Sequence, residues 1–277
     1  MKDNRVENIQ IHKVSSGAIN ETADKVAVEE PLQIQLVYST ATGQMLKNIA
    51  VTMRTPGNDE ELAAGFLFTE GIIKSASDIS GIKHAHANEN LVQVILKENV
   101  IPHIGNAARN FYTTSSCGIC GKASIDTINT ISQYGEVKNK SVINASVFYG
   151  LQNELKKQQK VFEDTGGIHA SAFFDVKEKF IMLREDVGRH NALDKIIGAS
   201  LLNNQLPLNN CILLLSGRAS FELLQKAVMA GIKIIASVGA PSSLAVEMAR
   251  ENDVTLTGFL KEDRFNIYSG KKRISLK

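Results

Sequence analysis

No apolar run in this 277-residue chain approaches the roughly 18 residues that cross a bilayer as a helix. Neither sign of charge dominates: 31 Lys and Arg stand against 29 Asp and Glu, interspersed, so the basic face of a duplex-binding protein is missing. Cysteine is scarce. Three residues, two close together and one apart, do not make a secreted disulfide framework and are usual in a reducing compartment. The stretch Met1 to Gln10 is polar and mixed in charge, unlike a signal peptide. The expectation is a soluble cytoplasmic protein with no membrane and no nucleic-acid partner. Internal repeats, low-complexity tracts, a Walker-type Gly-rich loop, a Ser-His-Asp signature and a His-Glu-x-x-His helix are also missing.

The length fits one large domain or two unequal ones, at roughly 100–200 residues each. Strict alternation at Leu32, Ile34, Leu36 and Tyr38 predicts a half-buried strand, with a second near Met45 to Met53 and a third at Leu91 to Leu96. Asn58 with Glu61 forms a capping arrangement ahead of Leu62, Ala63, Phe66 and Leu67, and Gly71 sits where that helix should stop. A helix from about Ser146 to Gln158 presents Val147, Leu151 and Leu155 on one face. Further on, apolar strands at Cys211–Leu215, Ile232–Ser237 and Val254–Leu260 alternate with helical stretches at Ser220–Ala230 and Ser242–Arg250, which predicts a parallel sheet segment. The fold class read here is α/β. Residues 1–135 form a smaller α+β region, and 136–277 a second domain with a partly parallel sheet flanked by helices.

Five constellations can carry chemistry. Cys117-Gly118-Ile119-Cys120-Gly121-Lys122 lies in a loop ahead of an expected helix. A helix N-terminus and a nearby Lys both favour thiolate over the free thiol value of about 8.5. Standing alone, the pair fits half of a structural zinc site or two inert thiols as readily as redox or transfer chemistry. Zinc lacks two further ligands at comparable spacing, so no metal site is assigned, and Cys211 reads as core. Glu185-Asp186-Val187-Gly188-Arg189-His190-Asn191-Ala192-Leu193-Asp194-Lys195 crowds titratable groups beside a helix whose apolar face is Leu193, Ile196 and Ile197. Solvated salt bridges would explain any one of them, and a polar pocket explains Asp186, Arg189 and His190 together.

Ser216-Gly217-Arg218-Ala219-Ser220 and Gly239-Ala240-Pro241-Ser242-Ser243 each fall where a parallel strand ends and a helix begins, the edge on which open sheets bind ligands. Ordinary N-capping by Ser220 and Ser242 is the plainer alternative, and two such loops on one edge favour an anionic ligand. Phe259-Leu260-Lys261-Glu262-Asp263-Arg264 adds cations and an aromatic ring to the same edge, or else forms a solvated hairpin tip. In Thr165-Gly166-Gly167-Ile168-His169-Ala170 the His begins a strand, as a ligand contact or a satisfied core residue.

Across these motifs the chain resembles the FdhD family, sulfurtransferases that act as accessory proteins for formate dehydrogenase. The likeness is spread over the residues after Tyr112 and is weaker before it. It implies a cytidine-deaminase-like fold for the C-terminal domain, and commonly a homodimer. It also implies that a cysteine desulfurase loads Cys117 with a persulfide sulfur, which then goes to the molybdenum of a bis(molybdopterin guanine dinucleotide) cofactor, the bound acceptor. Cys120 assists, receives or resolves. The family's guanine-dinucleotide contact falls on Phe259, Leu260, Lys261, Glu262, Asp263 and Arg264, beside Ser216, Gly217, Arg218, His169 and Arg189, so a guanine nucleotide should mimic the cofactor. Deaminase chemistry does not carry over, because Ser171 stands where that reaction needs a Glu. Two other functions fit parts of the sequence. A thiol-disulfide oxidoreductase needs only the Cys-x-x-Cys and leaves the sheet-edge loops unexplained. A non-catalytic molybdenum-cofactor chaperone needs the loops and no sulfur transfer.

Overall fold

An antiparallel ribbon opens the chain, β1 (Val6–Ser15) against β2 (Ala18–Ala27), turning at Ser16-Gly17. Both turn residues have positive φ, the geometry of a two-residue hairpin loop. The computed structural model describes residues 4–85, 88–104, 134 and 141–276. The alternating segment becomes β3 (Glu30–Thr40), which pairs with β4 (Gly43–Arg54). Helix α1 (Asp59–Thr69) follows, then β5 (Ile79–Ala85) and β6 (Asn88–Leu96). The resulting sheet has the order β4-β3-β6-β5, with β3 and β6 parallel.

Helix α1 starts where expected but is not capped as expected. Asn58 stands at the N-cap in the left-handed region (φ 58°) and its side chain makes no cap bond. The first-turn carboxylates have other partners. Asp59 accepts from Nε and Nη2 of the buried Arg54, each at 3.0 Å, and Glu61 accepts from Arg184 at 2.5 and 2.7 Å. Gly71, at φ 73°, ends the helix: its N–H donates to Phe68 O and that of Ile72 to Leu67 O, both at 2.9 Å. That bond pair is a Schellman stop.

The second half runs β7 (Ile143–Asn144), α2 (Ser146–Gln158), α3 (Lys160–Thr165), β8 (His169–Asp175), β9 (Phe180–Asp186), α4 (Arg189–Leu202), β10 (Cys211–Leu215) and α5 (Phe221–Met229). It continues with β11 (Ile234–Ser237), α6 (Ser243–Glu251), β12 (Thr255–Gly258), β13 (Asn266–Ser269) and β14 (Ile274–Ser275). Six strands form one sheet in the order β13-β12-β11-β10-β8-β9, in which β10, β11 and β12 are parallel as the β-α-β-α-β pattern predicts. The chain is therefore a mixed α/β protein. Among the described residues, no helix is long and apolar enough to cross a membrane.

Strand β10 shows why these central strands read as unbroken apolar runs. Ile212 and Leu214 enter a core with Phe148, Leu151 and Leu155 of α2, while Leu213 and Leu215 enter a second core on the opposite face. Both faces are covered, so each side chain gains the roughly 1.5–3 kcal/mol of full burial. The second core joins Leu32, Ile34 and Leu36 of β3 and Leu62 and Leu67 of α1 to Leu193, Ile196 and Ile197 of α4. Stretches 1–135 and 136–277 thus share a hydrophobic core.

Helices α1 and α4 cross through Gly65 and Gly198. A Cβ on Gly65 would lie 1.9 Å from Asp194 O, and one on Gly198 would lie 1.8 Å from Glu61 O. Gly198→Ala should therefore destabilise the protein by about 3 kcal/mol or more, because backbone cannot yield as a side-chain tip can. Gly81→Ala, with no atom of the described residues within 4 Å of the added carbon, should stay within about 1 kcal/mol. Urea unfolding midpoints of the two variants check the contrast.

Candidate functional site

His169 opens β8 directly across from Asp186, which ends β9. Ser216, one residue beyond β10, is held to the same strand: its hydroxyl accepts the Ala170 N–H at 2.8 Å and its own N–H donates to Ala170 O at 3.0 Å. A Cβ on Gly217 would stand 3.5 Å from His169 Nδ1. The His of one predicted motif and the Ser-Gly of another are therefore neighbours.

The loops after β10, β11 and β12 lie side by side at the carboxyl edge of the parallel strands. Gly239 N–H donates to Gly217 O, Ala219 N–H to Ala240 O, Ser242 N–H to Ala219 O and Phe259 N–H to Gly239 O. Gly239 is pressed against Arg218, whose Cγ would be 3.0 Å from a Cβ there. These four N–H groups bind the loops to one another and so are not free to cradle an anion. What remains for an anion is side chains, and Arg218 is exposed. Ser242 is an N-cap, accepting from Ala245 N–H at 3.3 Å. Ser220 holds the same position without a side-chain cap bond.

The segment Phe259–Arg264 connects β12 to β13 and closes with a bond from Lys261 N–H to Arg264 O at 2.9 Å. Phe259 is 47% exposed at φ 53°, and Lys261, Glu262, Asp263 and Arg264 are exposed. Leu260 is turned the other way. Fully buried, it packs in the α2 core and can offer a ligand only its backbone.

A cleft of about 380 Å³ lies between this edge and helices α2 and α3. Ile168, His169, Ser216 and Val238 line it from the sheet edge; Gln152, Leu155, Lys156, Gln159, Phe162, Gly166 and Gly167 line it from α2, α3 and the turn after α3. Sequence reasoning passed over the second wall. Its polar members recur at helical spacing, 152, 156 and 159, beside the apolar stripe of α2, and that spacing is the signal that could have found them.

The charged motif is mostly interior. Asp186 is fully buried and pairs with Lys195 at 2.7 Å; it also accepts from the N–H of Thr55 and Gly188 and from Asn191 Nδ2. Asp194 is likewise buried and accepts from Lys226 Nζ at 2.9 Å and Thr69 Oγ1 at 2.8 Å. His190 is 4% exposed. Solvated salt bridges are excluded for these groups. Arg189 begins α4 half-buried, its Nε enclosed with no hydrogen-bond partner among the described residues, and its charge is felt at His169. Burial, helped by Arg189 and opposed by Asp186, holds the His169 pKa below its usual 6.5. The structure thus brings His169, Arg189, Ser216, Gly217 and Arg218 to one edge, with Phe259–Arg264 beyond them. Cys117, Cys120 and the helix expected near Lys122 lie outside the described residues. Cys211 is buried, its thiol pushed by burial up to about 12, as fits an inert core residue.

A mixed α/β chain with a cleft at the carboxyl edge of a partly parallel sheet is of a class that holds ligands at such edges. This chain belongs to the FdhD/NarQ family, whose model matches residues 27–275. It is 44% identical over 272 residues to a protein of Mycolicibacterium paratuberculosis called sulfur carrier protein FdhD, covering 96% of this chain and 97% of that one. A protein of the same name from Picrophilus torridus is 44% identical over 251 residues, 91% of this chain and 92% of its own. In fold it resembles the crystal structure of a protein from Desulfotalea psychrophila assigned as a formate dehydrogenase accessory protein. The TM-score is 0.74 at 23% identity, over 98% of this chain and 99% of that one.

The lowered pKa of His169 gives a direct test of the site. Because the folded value lies below the unfolded one, the stability it contributes is full above pH 6.5 and lost as pH falls through the folded value. Followed by NMR, the imidazole should titrate below 6.5 in the free protein and shift upward when guanosine diphosphate is added, since a nearby anion favours the imidazolium. An unmoved midpoint at saturation would put the anion elsewhere.

Proposed function

We propose that this chain is a sulfur carrier that serves the maturation of formate dehydrogenase. The observation that carries this reading is its 40–44% identity, over nearly its whole length, to relatives called sulfur carrier protein FdhD. The sequence Cys117-Gly118-Ile119-Cys120 supplies the thiols such a role needs.

In this reading a cysteine desulfurase presents a persulfide, and the Cys117 thiolate attacks its terminal sulfur. One S–S bond forms on Cys117 as another breaks, and the desulfurase leaves as thiolate. The acceptor is a substrate, the bis(molybdopterin guanine dinucleotide) form of the molybdenum cofactor. Its guanine nucleotide sits along the sheet edge. Arg218, Lys261 and Arg264 offer cations to phosphate, Phe259 offers a half-exposed ring to a base, and the His169–Ser216 cleft takes an adjoining part. The protein works in the cytoplasm as a homodimer.

Incubation with a cysteine desulfurase and cysteine should add one sulfur to Cys117, read by peptide mass spectrometry. The Cys117→Ala variant should keep guanosine diphosphate affinity yet fail to activate a formate dehydrogenase. Normal activation by that variant would overturn the carrier role. Separately, Arg218→Ala should weaken guanosine diphosphate binding roughly three- to tenfold, the scale of one partly solvated charge-assisted bond. Calorimetric titration would show it, and an unchanged affinity would move the phosphates away from this loop.

A further inference from the structure

Helix α3 is six residues long, too short to persist by itself, since nucleation outweighs so few hydrogen bonds. Val161 is its one buried residue, and the Gln159 side chain at its N-cap makes no cap bond. The free N–H groups of its first turn are met from another element. Glu185, next to last in β9 and 8% exposed, accepts from Val161 N–H at 3.1 Å with one carboxylate oxygen and from Phe162 N–H at 3.0 Å with the other. On its outer side α3 is tied to β2 by the Lys25–Asp164 pair at 2.6 Å, whose side chains are 47% and 45% exposed. A pair that exposed contributes little. The interior carboxylate is the stronger tie.

What α3 carries makes this matter. Phe162, Gly166 and Gly167 line the cleft, and Gly166 N–H donates to Phe162 O at 2.7 Å, so the wall inherits the helix's position. We infer that Glu185 is a positioning residue for ligand binding: a remote cap from β9 that holds α3 in the place where it completes the cleft. The inference rests on the cleft being part of the nucleotide-bearing ligand's seat. Without the cap, α3 spends part of its time undocked, and apparent affinity falls by the fraction of molecules still competent.

The test uses the full chain with Glu185→Gln and Glu185→Asp. Glutamine leaves one acceptor oxygen and turns an N–H₂ toward an N–H, while aspartate keeps the charge on a shorter arm. Hydrogen exchange should speed up in Glu185→Gln over residues 160–167 and not in α4 or β10. The dissociation constant for guanosine diphosphate should rise about tenfold, with Glu185→Asp intermediate. The thermal midpoint should barely move, because α3 adds little to the core. Faster exchange at α3 with unchanged affinity in both variants would overturn the positioning role and leave the nucleotide reading standing. A large fall in thermal midpoint, with affinity unchanged below it, would assign Glu185 to general stability and overturn the role as well. If the unaltered protein binds no guanosine diphosphate, the reading of the site fails, and the positioning role with it.

Discussion

The backbones of α1 and α4 approach so closely at Gly65 and Gly198 that a single added carbon on either would overlap a carbonyl oxygen of the other helix. Most of the architecture depends on that approach. Because no side chains stand between the helices at the crossing, one can rest on the four-stranded sheet and the other on the six-stranded sheet, with the flanking Leu62, Leu67, Leu193, Ile196 and Ile197 interlocked. The N-terminal residues therefore buttress the sheet on whose far edge the loops after β10, β11 and β12 sit.

That buttress explains where the motifs fall. The six-stranded sheet is closed on one face by α2 and on the other by α4, α5 and the first half of the chain, so the loops beyond the parallel strands are left as the open edge. Three loops converge there and bind one another through backbone N–H groups. Those N–H groups are consequently committed to one another, while the Arg218 side chain is left exposed. The edge is stiff where loop meets loop. It is weakly held on the α3 side, where a short helix depends on a carboxylate from another element.

Much of this was legible because local rules and tertiary context agreed. Strands β3, β10 and β11 and helices α2, α5 and α6 were read within a few residues, since each is either periodic or a long apolar run bounded by turn residues. Two failures have physical causes. The β1–β2 ribbon is mostly solvent-exposed on both faces, so it has no hydrophobic alternation to read, and only Ser16-Gly17 marks its turn. The Asn58–Glu61 box failed because Arg184, more than a hundred residues on, takes Glu61. For the site, the sheet-edge loops were found from topology. The α2–α3 wall was missed because an amphipathic helix gives no sign of what its polar flank faces. Leu260, named with its neighbours from the family resemblance, is buried in the α2 core while they are exposed, because its run of charged residues hides one apolar side chain that the core takes up.

The buried ion pairs are the remaining feature that stability alone does not account for. Taking Asp186, Lys195, Asp194 and Lys226 out of water costs several kcal/mol per ion, which their mutual attraction roughly offsets, so apolar residues of like volume would serve a core as well. What apolar residues lack is direction. Lys195 donates to Thr55 O at 2.8 Å and Asp186 accepts the Thr55 N–H at 3.2 Å, fixing the end of β4 against the end of β9. Lys226 binds Thr69 at 2.9 Å and Glu70 at 3.2 Å while holding Asp194, which fixes the end of α1 against α5. Both anchors act on α4, whose first residue is Arg189, and the carboxylate of Asp186 also orients the Gly188 N–H just before it at 2.8 Å. A slip of α4 by one residue along α1 would break the bonds that Lys195 makes to Asp186 and Thr55 and those that Asp194 makes to Lys226 and Thr69. A greasy interface would tolerate it far better. The charged motif therefore acts chiefly as a register device, and Arg189, whose charge is felt at His169 in the cleft wall, is placed by bonds made to the opposite half of the chain.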